Sequence, residues 1–190
     1  VGAGVAGTQS ISKALDNNAL VKVLDTSQSK LQALEKEFGS KNIEYIVSTN
    51  ESVQTSINDS DLVIGSVYVV GKEAPKVVSK DMLISMKPGT VMVDVSIDQG
   101  GCFESSKPTT HDNPTFVEND IVHYCVTNMP GAVPLTATEA LNKVTLSYIV
   151  NLANKGIDKA LSEDKHLRNG LNIQHGTITH QGVKDSLEKF

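Results

Sequence analysis

The chain opens with "VGAGVAG", Val1 to Gly7, and the reading of these seven residues decides the fold. Gly2-x-Gly4-x-x-Gly7 is the spacing that lets a backbone approach a pyrophosphate closely, in a turn that follows a β-strand and opens a helix. Ahead of Gly2 stands a single residue, Val1, so the motif lacks the strand that normally leads into it. The residues after Gly7 agree with the motif. Thr8 to Asn17 places Ile11, Ala14 and Leu15 on one helical face, and "LVKVLD", Leu20 to Asp25, is a short branched apolar run ending in an acid.

The same alternation continues along the chain. Ser27 to Phe38 carries Leu31, Leu34 and Phe38 at helical spacing, with Gly39 as a C-cap. "IEYIVS" reads as a strand and Glu51 to Asn58 as a short helix; "DLVIGSV", "GTVMVDVS" and "IVHYCVTN" are further strands, each too short for a helix. Strands that are apolar on both faces and separated by helices build a parallel sheet covered on both sides. The expected fold is therefore α/β, a doubly wound Rossmann-type parallel sheet lacking its first strand, over residues 1–132. Residues 133–190 are expected to add a C-terminal helical extension: a long helix from Thr136 to Lys155 carrying Leu141, Val144, Leu146, Ile149 and Leu152, a second over Ile157 to Glu163, a short hairpin around His175-Gly176, and a last helix.

Composition narrows the partners. The net charge of −5 leaves no basic footprint for nucleic acid. No apolar run approaches the roughly 20 residues that cross a bilayer, so no membrane partner is expected. Cys102 and Cys125 sit in apolar or Gly-rich stretches, not at staple or metal spacings, which fits reduced, buried thiols in the cytoplasm and no metal site.

Two loops and one acid carry the candidate chemistry. Asp25 ends the strand after the Gly motif, near the roughly 20-residue offset at which a carboxylate accepts from ribose hydroxyls and repels a 2′-phosphate. The preference is then for NAD over NADP. Two other readings stay open here: Asp25 simply ends a strand and starts a turn, or the site is a methyl-donor pocket of the adenosylmethionine type. Asp98 falls just past the strand Val91 to Val95, beside Gln99-Gly100-Gly101, at the sheet edge where ligands sit in open α/β folds. "NMPGAVP", Asn128 to Pro134, comes after another strand, at a second strand-end loop.

The stretches "VDVSIDQGGCFESSKPTTHDNPTF", "HYCVTNMPGAVPLTATEALNKVTL" and "DLVIGSVYVVGKEAPKVV" resemble the alanine dehydrogenase family along the whole chain. The related proton-translocating transhydrogenase shares the fold and the Gly motif, but "IDQGGCFE" and "NMPGAVP" together are more similar to the alanine enzymes. The resemblance implies the NAD-binding portion of an enzyme for reversible oxidative deamination of L-alanine to pyruvate and ammonia. It also implies a homo-oligomer, a hexamer, and a chain shortened at its N-terminus. Family members hold the substrate carboxylate with an Arg and a Lys and use a His in proton transfer, all in the portion preceding the Gly motif. Arg168, the single arginine, lies in the tail and does not match that Arg. Neither His111, His123, His166, His175 nor His180 matches the family His, and His123 in its apolar strand reads as a packed core residue. The alternative is a non-catalytic nucleotide-binding or assembly remnant, or a transhydrogenase-like NAD(H)-binding domain.

Residue by residue, the resemblance places Gly2, Gly4, Val5, Ala6 and Gly7 under the pyrophosphate, Asp25 on the ribose, and Lys30 and Ser48 on the adenosine side. Val67 and Tyr68 line the cleft. Val95, Ser96, Ile97, Lys107, Val126, Thr127, Asn128 and Met129 surround the nicotinamide; Asp98, by its own place past the strand, is the expected catalytic residue, a carboxylate that stabilises an iminium and orients or partly deprotonates the attacking water. Tyr68 stands where the family usually has an aliphatic residue, and Lys107 where it usually has Arg, keeping the charge but losing the bidentate fork. For Lys30 and Lys107, plain solvation is the competing reading.

Overall fold

The computed structural model describes residues 1–187 and falls into two compact units. The first comprises Val1–Val69 and Glu73–Thr127; the second comprises Val70–Lys72 and the chain from Asn128 onward.

In the first unit, α1 (Val5–Asp16), β1 (Val21–Asp25), α2 (Gln28–Phe38), β2 (Ile43–Val47), α3 (Asn50–Asn58), β3 (Leu62–Gly65), β4 (Val91–Asp94), β5 (Thr115–Glu118) and β6 (Ile121–Tyr124) succeed one another. Local chemistry sets most boundaries. Ser27 caps α2 through the Lys30 amide and Gly39 ends it at φ 71°. Thr49 and Ser52 close a reciprocal capping box at the start of α3.

The strands pair as β1–β2 and as β3–β4–β6–β5, all parallel except β5, which runs antiparallel to β6. The doubly wound reading holds, with one correction: the sheet is mixed at its edge. β5 leads into a tight turn at Asn119 and Asp120, both with positive φ, and such a turn sends β6 back antiparallel to it. One core cluster gathers Val53, Ile57, Val63, Met92 and Phe103; another joins Ile11, Val23, Leu31, Leu34 and Ile43.

Residues 1 and 2 join the two sets of strands. The Gly2 amide donates to the Leu24 carbonyl at 2.8 Å, the Val1 nitrogen to the Ile64 carbonyl at 2.7 Å, and the Ser66 amide to the Val1 carbonyl at 2.8 Å. They thus occupy a strand position between β1 and β3. A cleft of about 810 Å³ beside them is lined by Ile11, Ala14, Lys22, Ile57, Leu62 and others. Leu62, which opens β3 at the edge of the four-stranded set, is 53% exposed.

The second unit holds α4 (Pro134–Lys155), α5 (Ile157–Glu163), α6 (Lys165–Asn169), the hairpin β7 (Ile173–Gln174) and β8 (Thr177–Ile178), and α7 (Gln181–Leu187). Pro134 starts α4 at the position where its missing N–H costs nothing. The hairpin turns at His175 and Gly176, both with positive φ. Lys72 pairs with Asp185 at 2.7 Å within this unit. Along α4, Leu141, Val144, Leu146 and Ile149 are all exposed. Among the described residues no helix is long and apolar enough to cross a membrane.

Candidate functional site

The three glycines of the opening motif do different jobs. Gly2 has φ +89°, and a Cβ on it would stand 2.7 Å from the Ser66 carbonyl oxygen. A Cβ on Gly7 would stand 2.1 Å from the Gly2 oxygen, so strand-end turn and helix touch through their backbones. A Cβ on Gly4 would meet nothing within 4 Å. Gly4 therefore borders open space, as does the start of α1, where Val5 and Ala6 are exposed. No side chain caps α1, its first turn has no acid, and its first amide to find an acceptor in the helix is Thr8, on Gly4 at 2.9 Å. The preceding amides and the positive end of the helix dipole together favour an anion.

Asp25 closes β1 and is 8% exposed. Its Oδ2 accepts the Ala3 amide at 2.9 Å and its Oδ1 the Ser27 amide at 2.8 Å. The Lys30 ammonium lies 3.6 Å from Oδ2. Burial pushes this carboxyl's pKa up, but the two amides and Lys30 outweigh it and hold the group below its ordinary value. Ionised Asp25 thus ties the Gly-rich turn to the end of β1, and its remaining lone pairs are the acceptors left for a ligand. Ser48 is its neighbour across the sheet edge, its amide on the Asp25 carbonyl at 3.0 Å.

The ends of β3 and β4 are tied to the same edge. Ser66 Oγ donates to the Gly2 carbonyl at 2.7 Å, Ser96 Oγ to the Val67 carbonyl at 2.8 Å, and the Val95 amide to Gly65 at 2.8 Å. Gly2, Val67, Val95 and Ser96 are thereby brought together, with Tyr68 66% exposed beside them. Ile97 is buried in the single 3₁₀ turn Ile97–Gln99, and Asp98 projects from that turn into solvent.

The turn is organised by a residue that sequence reading passed over. Asp94, fully buried at the end of β4, accepts the amides of Ser96 (3.0 Å), Cys102 (2.8 Å) and Phe103 (3.3 Å), and the Ser106 hydroxyl at 2.5 Å. An acid inside the apolar run "VMVDV" was the available signal, because a carboxylate is buried only when its acceptors are filled. Burial, and then the neighbouring Asp94 charge, push the Cys102 thiol up to about 12, which marks a packing residue and not a nucleophile. Cys125 is free and buried like Cys102.

The remaining candidates come later in the chain. Lys107 reaches Glu118 at 2.6 Å and lies over the Phe116 ring, beside β5. Val126 is fully buried and bridges Thr109, whose carbonyl also accepts the Thr127 amide at 3.1 Å. Asn128, at φ 54°, and Met129, which opens a 3₁₀ turn, belong to the second unit. His123 is the core residue its strand implies: fully buried, hydrogen-bonded to Ser105 at 2.8 Å and to the Ile121 carbonyl at 3.0 Å, and stacked on Phe116. Among the described residues no cluster of His, Cys, Asp and Glu is arranged to hold a metal.

Comparison with known proteins places this architecture. The profile of the family described as "Alanine dehydrogenase/PNT, C-terminal domain" matches residues 1–181. An alanine dehydrogenase of Halomonas elongata is 47% identical over 186 residues, 98% of this chain and 50% of the relative. Alanine dehydrogenase 2 of Staphylococcus aureus is 44% identical over 189 residues, 99% of this chain and 50% of the relative. Among solved structures, an L-alanine dehydrogenase superposes with TM-score 0.85 at 42% identity, covering 99% of this chain and 52% of that one. A transhydrogenase from Sinorhizobium meliloti shares the fold, with TM-score 0.72 at 23% identity over 95% of this chain and 48% of that one. The chain thus spans about half the length of the curated relatives it matches. Its glycine turn, its Asp25 and its Asp94-bound loop make up the sheet edge of a member of the alanine dehydrogenase/PNT family, in the C-terminal domain of that family.

Proposed function

We propose that this chain is the NAD-binding half of an L-alanine dehydrogenase, residues 1–132 forming the dinucleotide domain and 133–190 the helices and tail after it. The observation that carries the reading is one edge holding an uncapped, acid-free helix start over exposed Gly4, an ionised Asp25 ending the next strand, and an exposed Asp98 beyond β4. Gly2, Gly4, Val5, Ala6 and Gly7 would hold the pyrophosphate, and Asp25, Lys30 and Ser48 the adenosine side. Val67, Tyr68, Val95, Ser96 and Ile97 would line the nicotinamide end, with Val126 and Thr127 contributed from the segment after β6. Lys107 would join that end only by leaving Glu118.

The fit to a dinucleotide rests on backbone: a Cβ at Gly2 or Gly7 would fill space the turn needs, and Gly4 leaves its outer face clear. NAD, when bound, supplies the hydride acceptor for oxidation at the alanine α-carbon. Asp98 holds a carboxylate against the positive charge that develops on the substrate nitrogen, and accepts a proton from the water that releases ammonia. Asp25, ionised and with lone pairs still open to ribose hydroxyls, rejects a 2′-phosphate by like-charge repulsion. The products are pyruvate and ammonia, the compartment is the cytoplasm, and the exposed apolar row of α4 supports a homo-oligomer.

Titration of the chain with NADH and NADPH by nicotinamide fluorescence tests the reading. The expected result is clear preference for NADH, narrowed by Asp25→Ser. Equal affinities in the unaltered chain would overturn it.

A further inference from the structure

Four successive carbonyls of the turn beyond β4 face the segment 74–77, and each finds a donor there. The Ala74 amide donates to Gln99 at 2.9 Å and the Val77 amide to Cys102 at 2.7 Å. Between these two amides stands Pro75, which has no N–H to give. The two carbonyls in between, of Gly100 and Gly101, are both met by the Lys76 ammonium, which lies 2.7 Å from the Gly101 oxygen and also contacts the Gly100 oxygen. Gly100 and Gly101 have φ +85° and +74°. Glycine enters this region without strain and has many other conformations open to it, so the form of the path is fixed by what binds its peptide groups. Asp94 holds the amide side of the path through Cys102 and Phe103. A buried anion on the amides and a cation on the carbonyls therefore clamp one turn from opposite sides.

We propose that Lys76 is a positioning residue: by joining the Gly100 and Gly101 carbonyls it holds the Asp98–Gly101 turn, and with it the Val95–Ile97 backbone, in the form that receives a nicotinamide. The proposal rests on the dinucleotide reading above and names a residue that touches neither cofactor nor substrate. Glu73 packs on the same turn, where a Cβ on Gly100 would lie 2.9 Å from its side chain, but it supplies no donor to these carbonyls.

The test compares the chain with Lys76→Met, which keeps the length of the stem and loses the charge and donors, and with Lys76→Arg, which keeps both. NADH and ADP-ribose are titrated by calorimetry, since ADP-ribose engages the Gly turn and Asp25 but has no nicotinamide. Lys76→Met is expected to weaken NADH about tenfold, the size of one charge-assisted contact, and to leave ADP-ribose within about twofold. Lys76→Arg is expected to restore NADH binding to within about threefold of the unaltered chain. Amide exchange gives a reading independent of any ligand: Cys102 and Phe103 exchange faster in Lys76→Met, and the amides of β4 and β6 do not change. NADH and ADP-ribose weakening together would show a general loss of fold and overturn the proposal, as would unchanged exchange at Cys102 and Phe103. An unaltered chain that prefers NADH to ADP-ribose, with Lys76→Met showing the same preference, overturns the role of Lys76 alone. An unaltered chain that binds neither ligand overturns the dinucleotide reading and this proposal with it.

Discussion

Replacing Asp25 with Asn separates what this carboxylate does for the fold from what it does for a nucleotide. Asp25 is almost fully buried and each oxygen accepts a backbone amide, Ala3 on Oδ2 and Ser27 on Oδ1. An amide side chain has one oxygen, so one of these two N–H groups must face an NH₂. A hydrogen bond to a charged acceptor is worth about 1.5–3 kcal/mol, and an orphaned buried donor costs about 1–3 kcal/mol. Asp25→Asn should then lower stability by about 2–4 kcal/mol in the absence of any nucleotide, a large share of the roughly 5–15 kcal/mol that holds a domain. The pH dependence carries the same signature. The unfolded carboxyl titrates near its ordinary 3.8 and the folded one lower, so the unfolded chain binds the proton first. The stability from Asp25 is fully present above pH 3.8 and is lost as pH falls through the folded value; in Asp25→Asn this acid limb disappears. Urea denaturation of both chains across the acid range, without nucleotide, measures both effects. Equal stability at neutral pH and the same acid limb in both chains would refute the claim that Asp25 ties Ala3 to β1.

Gly7→Ala should cost about 1–3 kcal/mol and abolish NADH binding, because its Cβ would lie 2.1 Å from the Gly2 oxygen, whereas Gly4→Ala, with open space around it, should leave stability within about 0.5 kcal/mol. Thermal melts and NADH titration of the pair check this. Asp98 is exposed and, among the described residues, its carboxylate accepts no hydrogen bond, so in a complete alanine dehydrogenase subunit carrying this half Asp98→Asn should reduce turnover about 10²–10⁴-fold with NADH affinity and melting temperature unchanged. Steady-state kinetics and a melt on the same preparation decide it.

What sequence alone determined here is local in origin. Helix periods, the Ser27 and Thr49 caps, the Gly39 stop and the short branched runs act over three to ten residues, and from them the α/β alternation and the edge carrying Gly2, Asp25 and Asp98 could be read. The steric reason for Gly7 is already implicit in its spacing from Gly2. The tertiary structure alone decided what depends on groups far apart in the chain. Asp94 and Lys76 look like ordinary charges in their own neighbourhoods, and only folding brings them to opposite sides of the Gly100-Gly101 turn. Lys107, a nicotinamide-side residue by resemblance, pairs with Glu118, an acid that only the fold of β5 carries alongside it. Apolar spacing made α4 a helix but did not say whether its Leu141, Val144, Leu146 and Ile149 would find cover, since periodicity records which residues share a face and burial records what lies against it.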